Sequence, residues 1–143
     1  MFNRRLICHA KQKGGLKGIC GLIDMREIID QAGRGNDRAK LAIEMFCYRM
    51  KKYIGAYVAV LGSVDAIVFT GGIGENASVI RERVCEGLEN LGITIDSAKN
   101  ETARGNVAEI GKGGAPVKVL VVRTDEEREI AQQTNNAIEK RIA

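Results

Sequence analysis

The strongest pattern in the chain is helical. Between Asp37 and Leu61, the residues Ala42, Phe46, Met50, Tyr53, Tyr57 and Leu61 recur at steps of three and four and form one apolar stripe. Lys40, Glu44, Arg49, Lys51 and Lys52 lie mostly off it. Asn36 is the expected N-cap, and Asp37 adds favourable charge in the first turn. At ~1.5 Å per residue the helix is about 38 Å long. Gly55 inside it costs about 1 kcal/mol relative to alanine, so it is expected to mark a close backbone approach. Phe46 and the tyrosines then belong to a core or an interface.

Upstream, residues 1–17 have no clear periodicity and read as a lead-in. After Gly18-Ile19-Cys20-Gly21 a short helix is predicted from Met25 to Ala32, with Asp24 as its cap and Gly33 as its stop. Downstream, Val64–Phe69 is an apolar run of buried-strand type. The loop Thr70–Asn76 follows, then a helix carrying Ile80, Val84, Leu88 and Leu91 on one face, capped by Asn76 and stopped by Gly92. Ile93–Ile95 reads as a short strand, 96–116 as a long glycine-rich loop, and Val117–Val122 as a second buried strand. Thr124 opens a last helix that runs to about Lys140.

This order predicts an α/β fold with parallel pairing and right-handed crossovers. Two core strands are few, since sheets have about four to six. The helices carry more apolar face than two strands can cover, so either the chain oligomerises or its sheet is incomplete.

Composition narrows the class. The 143 residues are 45% apolar, which suits one folded domain and excludes a disordered chain. The uncharged run Ile54–Val64 is well short of the roughly 20 residues of a membrane span. Arg4 and Arg5 precede only Leu6-Ile7-Cys8, so no signal peptide is expected and the protein reads as cytoplasmic. Net charge is +4, part of it in Arg4, Arg5, Lys11, Lys13 and Lys17, a stretch that could meet phosphates or simply face solvent. With so few aromatic residues for base stacking, nucleic acid is not an expected partner. Cys8, Cys20, Cys47 and Cys85 include no CxxC pair, and reduced thiols explain them better than a Cys8/His9/Cys20 zinc site.

Two places could carry chemistry. Gly71-Gly72-Ile73-Gly74 stands between a strand and a helix, where backbone N–H groups can approach an anion or nucleotide closely. Its spacing fits neither GxGxxG nor the Walker pattern, and an ordinary tight turn explains it equally well. The second strand ends in Arg123-Thr124-Asp125-Glu126-Glu127, where Thr124 and Glu127 have capping-box spacing. The functional alternative is that Glu126 helps to hold magnesium near phosphates at the same sheet edge. Asp24 and Arg26 are open in the same way between a helix cap and a ligand contact.

Taken in order, these segments resemble the acetate kinase family. The resemblance is carried by Gly18–Gly21, Asp24–Ile28, Arg38–Ala42, Tyr48–Tyr57, Val64–Asn76, Ile80–Cys85 and Thr124–Glu127, over about residues 14–135; residues 1–13 match it poorly, which leaves them as a lead-in to one family-like unit over 14–143. It implies a phosphotransferase that moves the ATP γ-phosphoryl group to acetate or propionate, giving an acyl phosphate and ADP. It also implies part of a ribonuclease-H-like, actin-like ATPase C-terminal lobe, with parallel strands, a long helix and flanking helices, that dimerises with a second copy. On the matching positions, Asp24, Met25 and Arg26 would lie against the nucleotide, and Gly72, Ile73, Gly74, Glu75 and Asn76 would form the adenosine-side loop. Glu126 would be the Mg2+-associated glutamate.

The chain departs from the family in being much shorter, with the catalytic aspartate, histidine and arginines of the family's other lobe outside its match. No catalytic residue is therefore assigned, the 143-residue chain is expected not to turn over alone, and Ala66–Phe69 should present a free strand edge. The alternatives are a non-catalytic dimerisation or nucleotide-binding module, or one half of a split kinase. Leu22-Ile23 stands where the family has a longer serine-containing stretch, and Asp125 replaces the commoner asparagine.

Overall fold

The structure of the protein, a computed structural model, describes residues 14–142, with the backbone alone described at 126–128 and 139–142. Cys8, His9 and the 1–13 lead-in therefore lie outside the described residues.

Helices come first. α1 (Gly15–Cys20) stops at Gly21, whose φ of +80° suits a residue without a Cβ. α2 (Met25–Gly33) starts where predicted, at Asp24, which accepts a hydrogen bond from the Arg26 N–H. α3 spans Asp37–Leu61, and its Asn36 cap accepts from the Ala39 N–H at 3.1 Å. α1 and α2 both pack on the α3 side of the molecule. Then follow β1 (Ala66–Phe69), α4 (Gly71–Asn76), α5 (Ser78–Cys85), a 3-10 turn at Glu89–Leu91, α6 (Ser97–Thr102), β2 (Val107–Glu109), β3 (Lys118–Val122) and α7 (Glu126–Ile142).

The sheet has the order β1-β3-β2. β1 and β3 run parallel with Phe69 opposite Val121, and β2 runs antiparallel to β3 with Val107 opposite Val122. β1 is an edge strand among the described residues, and its Val68 is 51% exposed. The core joins Val119 and Val121 of β3 and Phe69 of β1 to Met25, Ile28, Ala42, Ile43 and Cys47 on the α2–α3 side, with Ile80, Val84 and Ile110 completing it. No helix among the described residues is long and apolar enough to cross a membrane.

Several expectations need correction. Residues 96–116 are not one loop: Asp96 caps α6 by accepting from the Lys99 N–H, and β2 adds a third strand. Both elements are too short for a periodic pattern to register. The helix expected to run from Asn76 to Leu91 ends at Cys85, and Gly87 turns the chain at φ +77°. The glycine loop itself winds into α4, of which Asn76 is the last residue; its Nδ2 donates back to the Gly72 carbonyl at 2.9 Å instead of Asn76 capping α5. Ile93 and Ile95 make single bridges, to Val117 and Gly111, and no strand. On α3, Ala39, Ala42, Ile43 and Cys47 are buried, but Tyr53, Tyr57 and Leu61 are exposed, so the second half of the stripe is outside this chain's core. Gly55 has open space where a Cβ would sit, so no close approach explains it.

Candidate functional site

β1 and β3 end side by side, and the chain leaves both ends through a turn into a helix. This is the edge at which open α/β sheets collect ligands. After β1, Gly71 turns at φ +70°, a conformation that residues with a Cβ rarely adopt. α4 then folds back so tightly that a Cβ on Gly74 would come within 3.1 Å of the Phe69 carbonyl carbon. Gly72 is different: a Cβ there meets open space, and its face lines a cavity.

That cavity, of ~680 Å3, lies between the start of α2 and α4. It brings Asp24, Met25 and Arg26 together with Gly72, Ile73 and Asn76, segments about a third of the chain apart. Ile29 and Ala77, which sequence reasoning had left as ordinary helix positions, complete the wall. Small-molecule pockets are typically about 300–1,000 Å3, with mostly apolar walls and a few polar groups that fix orientation. Here Met25, Ile29, Ile73 and Ala77 supply the apolar wall, and Asp24, Arg26 and Asn76 the polar atoms. Gly74 packs on Phe69 and does not line this cavity; Glu75 lines a different one, of ~600 Å3, with Arg81, Arg104 and Arg123.

Asp24 and Arg26 are locked to each other. Asp24 Oδ1 accepts from the Arg26 N–H at 2.9 Å and from Nε at 3.0 Å, and Oδ2 accepts from Nη2 at 2.6 Å. The guanidinium contact, reinforced by the backbone N–H, draws the Asp24 carboxyl down to about 2. So Asp24 is both the helix cap and the group that aims Arg26, whose side chain stays 87% exposed at the cavity rim.

Glu126 opens α7 just past the end of β3, and its side chain lies outside the described residues. The Thr124 hydroxyl donates to Glu75 Oε1 at 2.9 Å, and the side chain of Glu127, its expected capping-box partner, lies outside the described residues. Among the described residues no group of three His, Cys, Asp or Glu could cage a metal. Magnesium needs no such cage, because it binds through one or two carboxylates, waters and substrate phosphates.

Sequence reasoning missed the device that holds α4 from behind. Arg81 of α5 is 2% exposed; its Nη1 donates to the Gly74 and Glu75 carbonyls at 2.9 and 3.0 Å, while Nε and Nη2 are held at 2.7 Å by Asn100. All its acceptors are neutral amide oxygens, and burial lowers its pKa, with Arg104 adding to the effect. The Asp96 cap was the signal that would have put Asn100 on a helix. Burial pushes the Cys85 thiol up to about 11 and raises that of Cys47 as well, the opposite of what activates a cysteine nucleophile.

The arrangement of parallel strand pair, long helix and flanking helices is shared with solved acetate and propionate kinases, which have the actin-like ATPase fold. The crystal structure of Porphyromonas gingivalis acetate kinase matches with a TM-score of 0.79 and 49% identity, covering 88% of this chain and 32% of that one. A propionate kinase from Francisella tularensis matches with a TM-score of 0.80 and 40% identity, over 92% of this chain and 33% of that one. The acetate kinase of Syntrophobacter fumaroxidans is 56% identical over 129 residues, 90% of this chain and 31% of that protein. The Acetokinase family model matches residues 6–132, starting inside the stretch read as a lead-in. The chain belongs to the Acetokinase family. It spans about a third of the length of the curated relatives it matches.

Proposed function

We propose that this chain is the nucleotide-holding part of an acetate kinase-type phosphotransferase, acting in the cytoplasm on ATP and acetate or propionate. The observation that carries the reading is the cavity in which Asp24, Met25 and Arg26 meet Gly72, Ile73 and Asn76. The apolar wall receives the base. Arg26, aimed by Asp24, and Asn76, braced on the Gly72 carbonyl, orient the nucleotide. Gly72 leaves room that a side chain would fill. Glu126 would be the residue that holds hydrated Mg2+, and the ion would supply neutralising charge to the phosphates. Phosphoryl transfer is mostly positioning and electrostatic stabilisation. The described residues supply positioning for the nucleotide, and the family's catalytic groups lie outside the match, so the 143-residue chain alone binds nucleotide without turnover.

Calorimetric titration of the purified chain with Mg·ATP tests this. Saturable binding that weakens in Glu126→Ala is the expected result. A folded chain with no binding overturns the nucleotide reading, and acetyl phosphate formation above background that Glu126→Ala abolishes overturns the lack of turnover.

A second reading, a module that dimerises without catalysis, is favoured by the exposed row Met50, Tyr53, Tyr57, Val60 and Leu61 on α3. A second copy of the chain is its partner. The two readings are compatible, because that row and the cavity lie on different residues.

A further inference from the structure

We propose that Glu75 is a positioning residue that ties the nucleotide-facing segment α4 to the end of β3, and so sets where Glu126 stands relative to the nucleotide; this rests on the nucleotide reading above. One oxygen of Glu75 does the joining. Oε1 accepts from the Gly71 N–H at 3.1 Å, from the Thr124 N–H at 2.9 Å and from the Thr124 hydroxyl at 2.9 Å. Gly71 lies two residues beyond Phe69 and Thr124 two residues beyond Val122, so the carboxylate bridges the β1 and β3 exits after their parallel ladder has ended.

The bridge is built from both sides. Arg81, itself held by Asn100, fixes the Glu75 backbone carbonyl at 3.0 Å, leaving the side chain directed at the sheet edge. The hydrogen bonds from Thr124 lead in holding the Glu75 carboxyl below its ordinary value, so it is an ionised acceptor at neutral pH. Glu75 lines a different cavity from the one that Gly72 and Ile73 line, and Asn76 stands between the two. The Glu75 Oε1 is engaged by the protein itself at the sheet edge. Glu126 follows Thr124 by two residues. Groups that hold metal-associated residues in place typically govern metal affinity by about 10–100-fold.

The test is ATP affinity of the full 143-residue chain, measured by calorimetry with Mg2+ and again with EDTA. In Glu75→Ala and Thr124→Val the affinity in EDTA should stay within about twofold, while the gain conferred by Mg2+ falls about tenfold. Glu75→Gln, which keeps an oxygen acceptor, should recover part of that gain. An equal loss with and without Mg2+ overturns the proposal, because it means that Glu75 touches the nucleotide or only holds the fold. Unchanged affinities overturn it too. If the native chain binds no nucleotide, the earlier reading has failed, and amide hydrogen exchange decides the bridge. Faster exchange at Gly71 and Thr124 together in Glu75→Ala, with Val119 and Val121 still protected, supports it, and unchanged exchange rejects it.

Discussion

At the scale of the residue, Asp24 carries two roles, and its ionisation links them. The carboxyl sits at about 2 in the fold against an ordinary 3.8, so the fold favours the ionised form. That contribution is complete above about pH 4, is lost as the pH falls through about 2, and vanishes where both folded and unfolded chains are protonated. Asp24→Asn keeps the capping oxygen but discards the charge on Arg26. In denaturant unfolding it should therefore be less stable than the native chain near neutral pH, with the gap closing between about pH 4 and about pH 2. A gap that stays constant with pH would mean that the Arg26 contact contributes nothing. Asp24, Gly72 and Asn76 were legible as a group only through their resemblance to a family, since each has an ordinary helix-end explanation. The hydrogen bonds that Arg81 and Glu75 make were legible to neither approach. Their partners, Asn100 and Thr124, lie 19 and 49 residues away, and periodicity carries no information about such pairings.

At the scale of the element, α3 shows what a sequence reveals and where it stops. Its bounds and its Asn36 cap follow from local chemistry and were readable to the residue. Which part of its stripe is buried depends on what lies opposite, and that was not readable. The cap should matter globally, because the first turns of α3 hold Ala39, Ala42, Ile43 and Cys47 in the core. Asn36→Ala is expected to cost about 1 kcal/mol, seen as a lower denaturant midpoint at unchanged slope, and Asn36→Asp close to none. No loss in Asn36→Ala would mean that the first turn frays without the core responding. α6 and β2 were missed for the opposite reason: six and three residues are shorter than the windows in which a period can be counted.

At the scale of the whole molecule, the fold class and the parallel β1–β3 pair were readable from element order, because a strand–helix–strand connection has few ways to close. The surplus apolar surface was readable as well, and the structure locates it. Tyr53, Tyr57, Val60 and Leu61 are 49%, 63%, 82% and 65% exposed and follow one another at helical steps along the second half of α3. Contiguous exposed apolar patches of this kind are typical of interfaces, and aromatic residues at the centre of such surfaces supply much of the binding energy. A second copy meeting the same face would bury the row against itself, the self-complementary geometry of a two-fold dimer. Sedimentation should therefore find a dimer that Tyr57→Glu converts to a monomer with unchanged helical circular dichroism. Since the row is separate from Asp24, Arg26 and Asn76, the monomeric variant should keep its Mg·ATP affinity. Lost affinity would mean that the partner copy shapes the cavity, and a native chain that sediments as a monomer would remove the dimer altogether.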